Sequence, residues 1–114
     1  MTPAAQELAD ALASEPETMY VRLAAHWLTH GDPTGPAPTL TGIRVADALV
    51  AATVALRAQR VGLPVPAWTN EPQRALERIW HPGPPQLFGY SLAHAPAELK
   101  ARGIVVEADS LVSV

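Results

Sequence analysis

Apolar positions recur with helical spacing through the first half of the chain. In residues 3–13, PAAQELADALA, Ala5, Leu8, Ala9 and Leu12 form one stripe, the mark of an amphipathic helix. The pattern returns in Tyr20, Leu23, Ala24, Trp27 and Leu28, which predict a second helix over about 15–30. At its start Ser14 and Glu17 have the Ser-x-x-Glu spacing of a capping box, which satisfies two free backbone donors. Pro16 falls in the first turn, where its missing N–H costs nothing. Gly31 is the expected left-handed stop. Residues 31–40, GDPTGPAPTL, hold two glycines and three prolines and form a loop, either mobile or pinned as extended backbone.

A third helix is predicted over about 42–60, GIRVADALVAATVALRAQR. Val45, Leu49 and Leu56 line one side, Ile43, Val50 and Val54 widen the apolar arc, and alanines fill much of the rest. A helix of this kind belongs at the centre of a domain, with neighbours packed closely on its alanines. Gly62 and Pro64 end it. After an extended connector at 63–72, a fourth helix over about 71–80 is expected to turn Leu76, Ile79 and Trp80 inward and Gln73, Arg74, Glu77 and Arg78 outward. HPGPP at 81–85 breaks it, and short helices follow around 86–94 and 96–102, with Gly103 as the closing residue. The end changes character. Ile104–Glu107 is a strand candidate whose mate is either the extended chain at 63–67 or a strand of another chain. The expected fold is therefore mainly α: one domain over 1–114, five to six helices around the apolar helix at 42–60, and a minor C-terminal β element.

Composition excludes more than it names. A hydrophobic content of 48% is ample for a core, and 17% charged residues is below the usual quarter. The net charge of −3 argues against a non-specific nucleic-acid binder, so direct contact with nucleic acid is not expected. With no cysteine, disulfides, thiolate zinc sites and a cysteine nucleophile are excluded. The start, MTPAAQELADALASEPE, lacks the basic head and apolar run of a signal peptide, and no apolar run approaches the roughly 18 residues that span a membrane. A cytoplasmic protein without a membrane anchor is the expectation. Arginine outnumbers lysine seven to one and alanine is abundant, as in proteins encoded at high GC content.

Two places resemble chemistry. HWLTHGDP, residues 26–33, sets His26 and His30 four apart with Asp32 beyond them, so one helix face could hold a metal with the carboxylate as third ligand. The zincin pattern needs Glu after the first histidine, where Trp27 stands. The simpler reading is a helix end, with His30 in the last turn where positive charge is favoured, and no metal or other cofactor is expected. Ser91 and His94 are three apart on a short helix, a spacing common by chance, and no serine lies in a Gly-x-Ser-x-Gly turn. There is no P-loop and no acid/base dyad. Arg57 with Arg60, and Arg74 with Arg78, are near neighbours on helices, but Glu71 and Glu77 flank the second pair, and the third helix is too apolar to read DNA.

A partner surface is the better reading of what remains. Trp68 lies in the stiff Pro-x-Pro-Ala-Trp connector, either plugging the core or forming an interface hot spot. The order GLPVPAW…P…L…W, followed by AHAPAELKARGIVVEADSLVSV, resembles the C-terminal portion of actinobacterial helix-turn-helix regulators of antitoxin type, which are encoded beside nucleotidyltransferase-like toxins. The resemblance covers about residues 45–114 and rests on Pro66, Ala67, Trp68, Leu76, Trp80, Ala95, Pro96, Ala97, Arg102, Gly103 and the closing Asp109–Val114. It implies the partner-binding part of that family without its DNA-binding part. The resemblance implies a non-catalytic antitoxin-like protein that binds and neutralises a cognate toxin enzyme. Its expected contacts are Trp68, the Arg74 and Arg78 face, and the tail with Ile104, Val106, Leu111 and Val112. The alternatives are a regulator that binds DNA as a homodimer, and a small metal-dependent or Ser/His hydrolase using His26, His30 or His94.

Overall fold

The computed structural model describes residues 2–112. It is mainly helical, with five α-helices among these residues: α1 (Ala5–Ser14), α2 (Tyr20–His30), α3 (Arg44–Arg60), α4 (Phe88–His94) and α5 (Ala97–Lys100). Short 3-10 turns at Glu17–Met19, Ala67–Asn70, Pro72–Arg74, Pro85–Leu87 and Ala108–Leu111 join or follow them.

α3 is the centre. Every residue from Ala46 to Leu56 is buried, so the helix is enclosed around its whole circumference. Its alanines leave room for α1, α2 and α5 to pack against it. The C-terminus closes as a Schellman motif: Gly62, at φ +73°, donates to Gln59 O at 3.2 Å, and Leu63 donates to Ala58 O at 2.9 Å. At the other end the buried Asp47 carboxylate accepts from the Thr41 N–H and hydroxyl, both at 2.8 Å, and from Gly42 N at 3.2 Å.

The stripe expected on α1 is the buried one: Ala5, Leu8, Ala9 and Leu12. The capping box does not form. Ser14 belongs to the last turn of α1, where its hydroxyl donates to Asp10 O at 3.0 Å and Ala11 O at 3.2 Å. Pro16 disfavours a helical Glu15, so the first helix stops there and α2 begins only at Tyr20. Glu17 is used elsewhere, as acceptor for the Trp80 indole N–H. Gly31 is not left-handed; its φ is −63°. A Cβ at this position would overlap the Trp27 ring, so the glycine is needed for close approach. The indole is fixed in turn by its N–H donating to Ala4 O at 3.1 Å.

The Pro/Gly loop at 31–41 is pinned rather than loose. Asp32 N donates to Pro3 O at 2.9 Å, Thr39 N to Gln6 Oε1 at 2.9 Å, Arg57 Nε to Gly31 O at 3.0 Å and Arg74 Nη2 to Pro38 O at 2.5 Å.

The expected fourth helix at 71–80 is absent. After the turn Pro72–Arg74 the chain is irregular and pairs with the C-terminal segment. Leu76 N donates to Arg102 O at 3.0 Å, Trp80 N to Gly103 O at 2.9 Å and Val105 N to Trp80 O at 3.0 Å. Leu76 and Trp80 face the core at a four-residue spacing that an extended segment satisfies as well as a helix. Ile79, expected inside, is 58% exposed. The β element is correspondingly reduced: no strand forms among the described residues, only one parallel bridge between Trp80 and Ile104. Its mate is therefore the segment around Trp80, not 63–67, where Leu63 and Val65 are exposed. Gly103, at φ +83°, makes the turn into this pairing, and a Cβ there would stand 2.9 Å from Leu76 Cβ.

Candidate functional site

The expected partner residues divide between core and surface. Ile104, Val106 and Leu111 are buried, and Leu111 lies in the turn that packs on α2. Arg74 points inward and is 2% exposed. Its guanidinium lies 4.7 Å from the Trp68 ring centroid, with Nε 3.6 Å from the Glu71 carboxylate. Trp68 is half-buried against the core, and its indole N–H has no acceptor among the described residues. Arg78 and Val112 are exposed, and Ser113–Val114 lie outside the described residues. A single patch of Trp68, Arg74 and the tail is therefore not what the fold presents.

What it presents around Arg78 is a groove. Arg44, Val45, Leu76, Glu77, Arg78, Ile79 and Trp80 line a cavity of about 520 Å³. Its floor is rigid. The Trp80 ring packs 6.2 Å from Tyr20, its N–H is taken by Glu17, and its backbone is bonded on both sides to residues 103–105. Arg44 extends from the start of α3 and donates to Ala75 O at 3.1 Å. The groove thus combines an apolar floor, a prominent Ile79 and two guanidinium groups. Sequence spacing alone could not show it, because Arg44 and Val45 lie far along the chain from Arg78 and Ile79 and meet them only in the folded structure.

A second polar cluster was not anticipated. The buried Ser91 hydroxyl donates to Glu107 Oε2 at 2.5 Å, His81 Nε2 lies 3.1 Å from Ser91 Oγ, and the Ser110 hydroxyl donates to Glu107. The Ser110 hydroxyl, then that of Ser91, then the nearby His81 hold the Glu107 carboxyl below the usual range against the opposing effect of burial. The Ser91 hydroxyl thereby joins α4 to the C-terminal segment. Ten and sixteen residues separate Ser91 from its partners, so no local motif announces it.

The Ser91–His94 pairing does not form. His94 Nδ1 is 2.9 Å from Tyr90 O, and its ring stacks on Tyr90 at 4.2 Å. The Tyr90 hydroxyl donates to Asp109 at 2.7 Å, which, with the Asp109 charge, raises its pKa. Arg102 ties α5 to the 67–70 turn: it donates to Thr69 O at 2.9 Å, Asn70 Oδ1 at 3.1 Å and Glu98 O at 2.8 Å.

His26 and His30 are exposed on the rim of a cavity of about 470 Å³ between α1 and α2, floored by Leu8, Ala11, Leu23 and Trp27, with Glu7 on the facing helix. Asp32 does not join them. Its carboxylate accepts from Thr34 N at 2.9 Å and the Thr34 hydroxyl at 2.6 Å, and these bonds lower its pKa. Among the described residues no group of three or more His, Asp or Glu side chains could hold a metal ion. His94 does not line this cavity, so the histidines do not converge on one pocket.

No helix of the described residues is long and apolar enough to cross a membrane. Compared with known proteins, the chain matches no family profile, no curated sequence and no solved structure at a significant level.

Proposed function

We propose that this chain is a non-catalytic, antitoxin-like binding protein of the cytoplasm, which docks on a partner enzyme of the nucleotidyltransferase-like toxin class and neutralises it. The observation that carries the binding reading is the groove at Arg44, Val45, Arg78 and Ile79. A 58%-exposed isoleucine shares this groove with Arg44, Arg78 and Glu77, over a floor held by Trp80. Exposed apolar surface together with arginine and tryptophan side chains is the composition favoured at protein interfaces. The class of partner rests on the resemblance over residues 45–114 alone.

Co-expression of the chain with the product of the adjacent gene, followed by affinity capture and a growth assay, tests the reading. The expected result is a complex and rescue of growth, both lost in I79D and R78E. Failure to form a complex, or rescue that survives both substitutions, counts against it.

A further inference from the structure

We infer that the outer face of α2 is a two-imidazole binding site for a late first-row divalent cation, with His26 and His30 as its protein ligands. This is independent of the partner reading, because the α1/α2 cavity and the Arg78 groove share no lining residue.

Residues four apart on a helix stand one above the other with Cβ atoms roughly 5–6 Å apart, close enough for two imidazoles to meet on one ion. The spacing alone is common, and the structure supplies what it lacks. α2 is regular helix through both positions, so the two rings share a face. Both side chains are exposed. Among the described residues neither ring makes a hydrogen bond, whereas His81 is engaged by Ser91 and His94 by Tyr90 O. Both residues line the same cavity, to which α1 contributes Glu7.

Two ligands leave coordination positions open. A closed structural site takes four protein ligands, whereas a site with open positions holds water or the donor atom of an incoming molecule. Here those positions face a cavity of about 470 Å³ with an apolar floor, large enough for a small ligand that offers one donor to the ion and apolar atoms to Leu8 and Trp27. Neutral imidazole suits copper, nickel and zinc, and affinity for such a site follows the order in which Cu²⁺ is the tightest.

The test is calorimetric titration of the full chain, without an affinity tag, with Cu²⁺ and then Zn²⁺ at neutral pH. Electron paramagnetic resonance of the copper sample accompanies it. The expected result is one saturable Cu²⁺ per chain with two nitrogen ligands, weaker Zn²⁺ binding, and a melting temperature that rises with the free metal concentration. Loss of even an outer-shell partner costs about 10–100-fold in metal affinity, so H26N and H30N should each weaken binding by at least about tenfold. Circular dichroism confirms that both variants remain helical, and H81N and H94N should bind like the parent. No saturable binding, or binding unchanged by H26N or H30N, overturns the inference.

Discussion

The Asp47 carboxylate, in the first turn of α3, lies 2.8 Å from both the backbone nitrogen and the hydroxyl of Thr41. The aspartate is 3% exposed, yet it faces three donors rather than a counter-ion. It thereby turns the end of the proline-rich loop into the start of the central helix.

Removing that carboxylate leaves the Thr41 and Gly42 N–H groups without an acceptor. Hydrogen bonds to a charged group contribute about 1.5–3 kcal/mol each, with poor additivity, so D47A should lose about 2–4 kcal/mol of stability. D47N, which keeps one acceptor, should lose less. Urea denaturation midpoints of the three proteins check this.

Gly31 and Gly35 lie in the same loop but differ in surroundings. A Cβ at Gly31 meets the Trp27 ring, whereas one at Gly35 meets nothing within 4 Å. G31A should cost about 1–3 kcal/mol through overpacking. G35A should stay within about 0.5 kcal/mol of the parent. Equal effects in thermal melts would show that the loop, not the indole contact, sets the requirement at Gly31.

The Glu107 carboxyl is held below the usual range by Ser110, Ser91 and His81. Its folded pKa is lower than its unfolded value, so folding favours the charged form. That stabilisation is fully present above the ordinary glutamate pKa of about 4.3, and it is lost as the pH falls through the lower folded value. Melting temperatures of the parent should therefore decline with acidification more steeply than those of E107Q. Parallel profiles between pH 7 and 3 would refute the assignment.

Ile79 and Ile104 separate surface from core. Ile79 is 58% exposed and Ile104 fully buried. R78E should leave stability within about 0.5 kcal/mol of the parent, whereas I104A should lose about 2–5 kcal/mol. Chemical denaturation decides, and it also establishes that any loss of partner capture in the groove variant is not a loss of folding.

The helical half of the fold was legible because its apolar stripes are long: α1 buries every position that the spacing marks, α2 all but the half-buried Leu23, and α3 buries Leu49, Val50, Val54 and Leu56, while Val45 is half-buried and Ile43, just before the helix, is exposed. Between residues 71 and 80, Leu76 and Trp80 fit a helix or an extended segment equally well, and only Ile79, which a helix would turn inward and which is exposed, separates the two. The decision came from Arg102, Gly103 and Val105, roughly 25 residues onward, which take the backbone of Leu76 and Trp80. The same non-local pairing explains why Arg74 and Arg78, expected on one outer face, part company: the first is sealed under the loop at Pro38 and the second stands at the groove. Ser14 misled for a local reason, since its spacing to Glu17 is right for a cap but the proline between them ends one helix before the other begins.

The enclosure of α3 on every side has a temporal consequence. Every residue of Ala46–Leu56 is buried while its neighbours are in place. The amide protons of this stretch can exchange with deuterated water only when the whole assembly opens, so they should form the slowest and most uniform class in the molecule. The chain around Arg78, with few backbone partners, should exchange early. The middle of the helix that organises the protein is thus covered, and only its first residues, Arg44 and Val45, reach the groove that the segment around Arg78 completes.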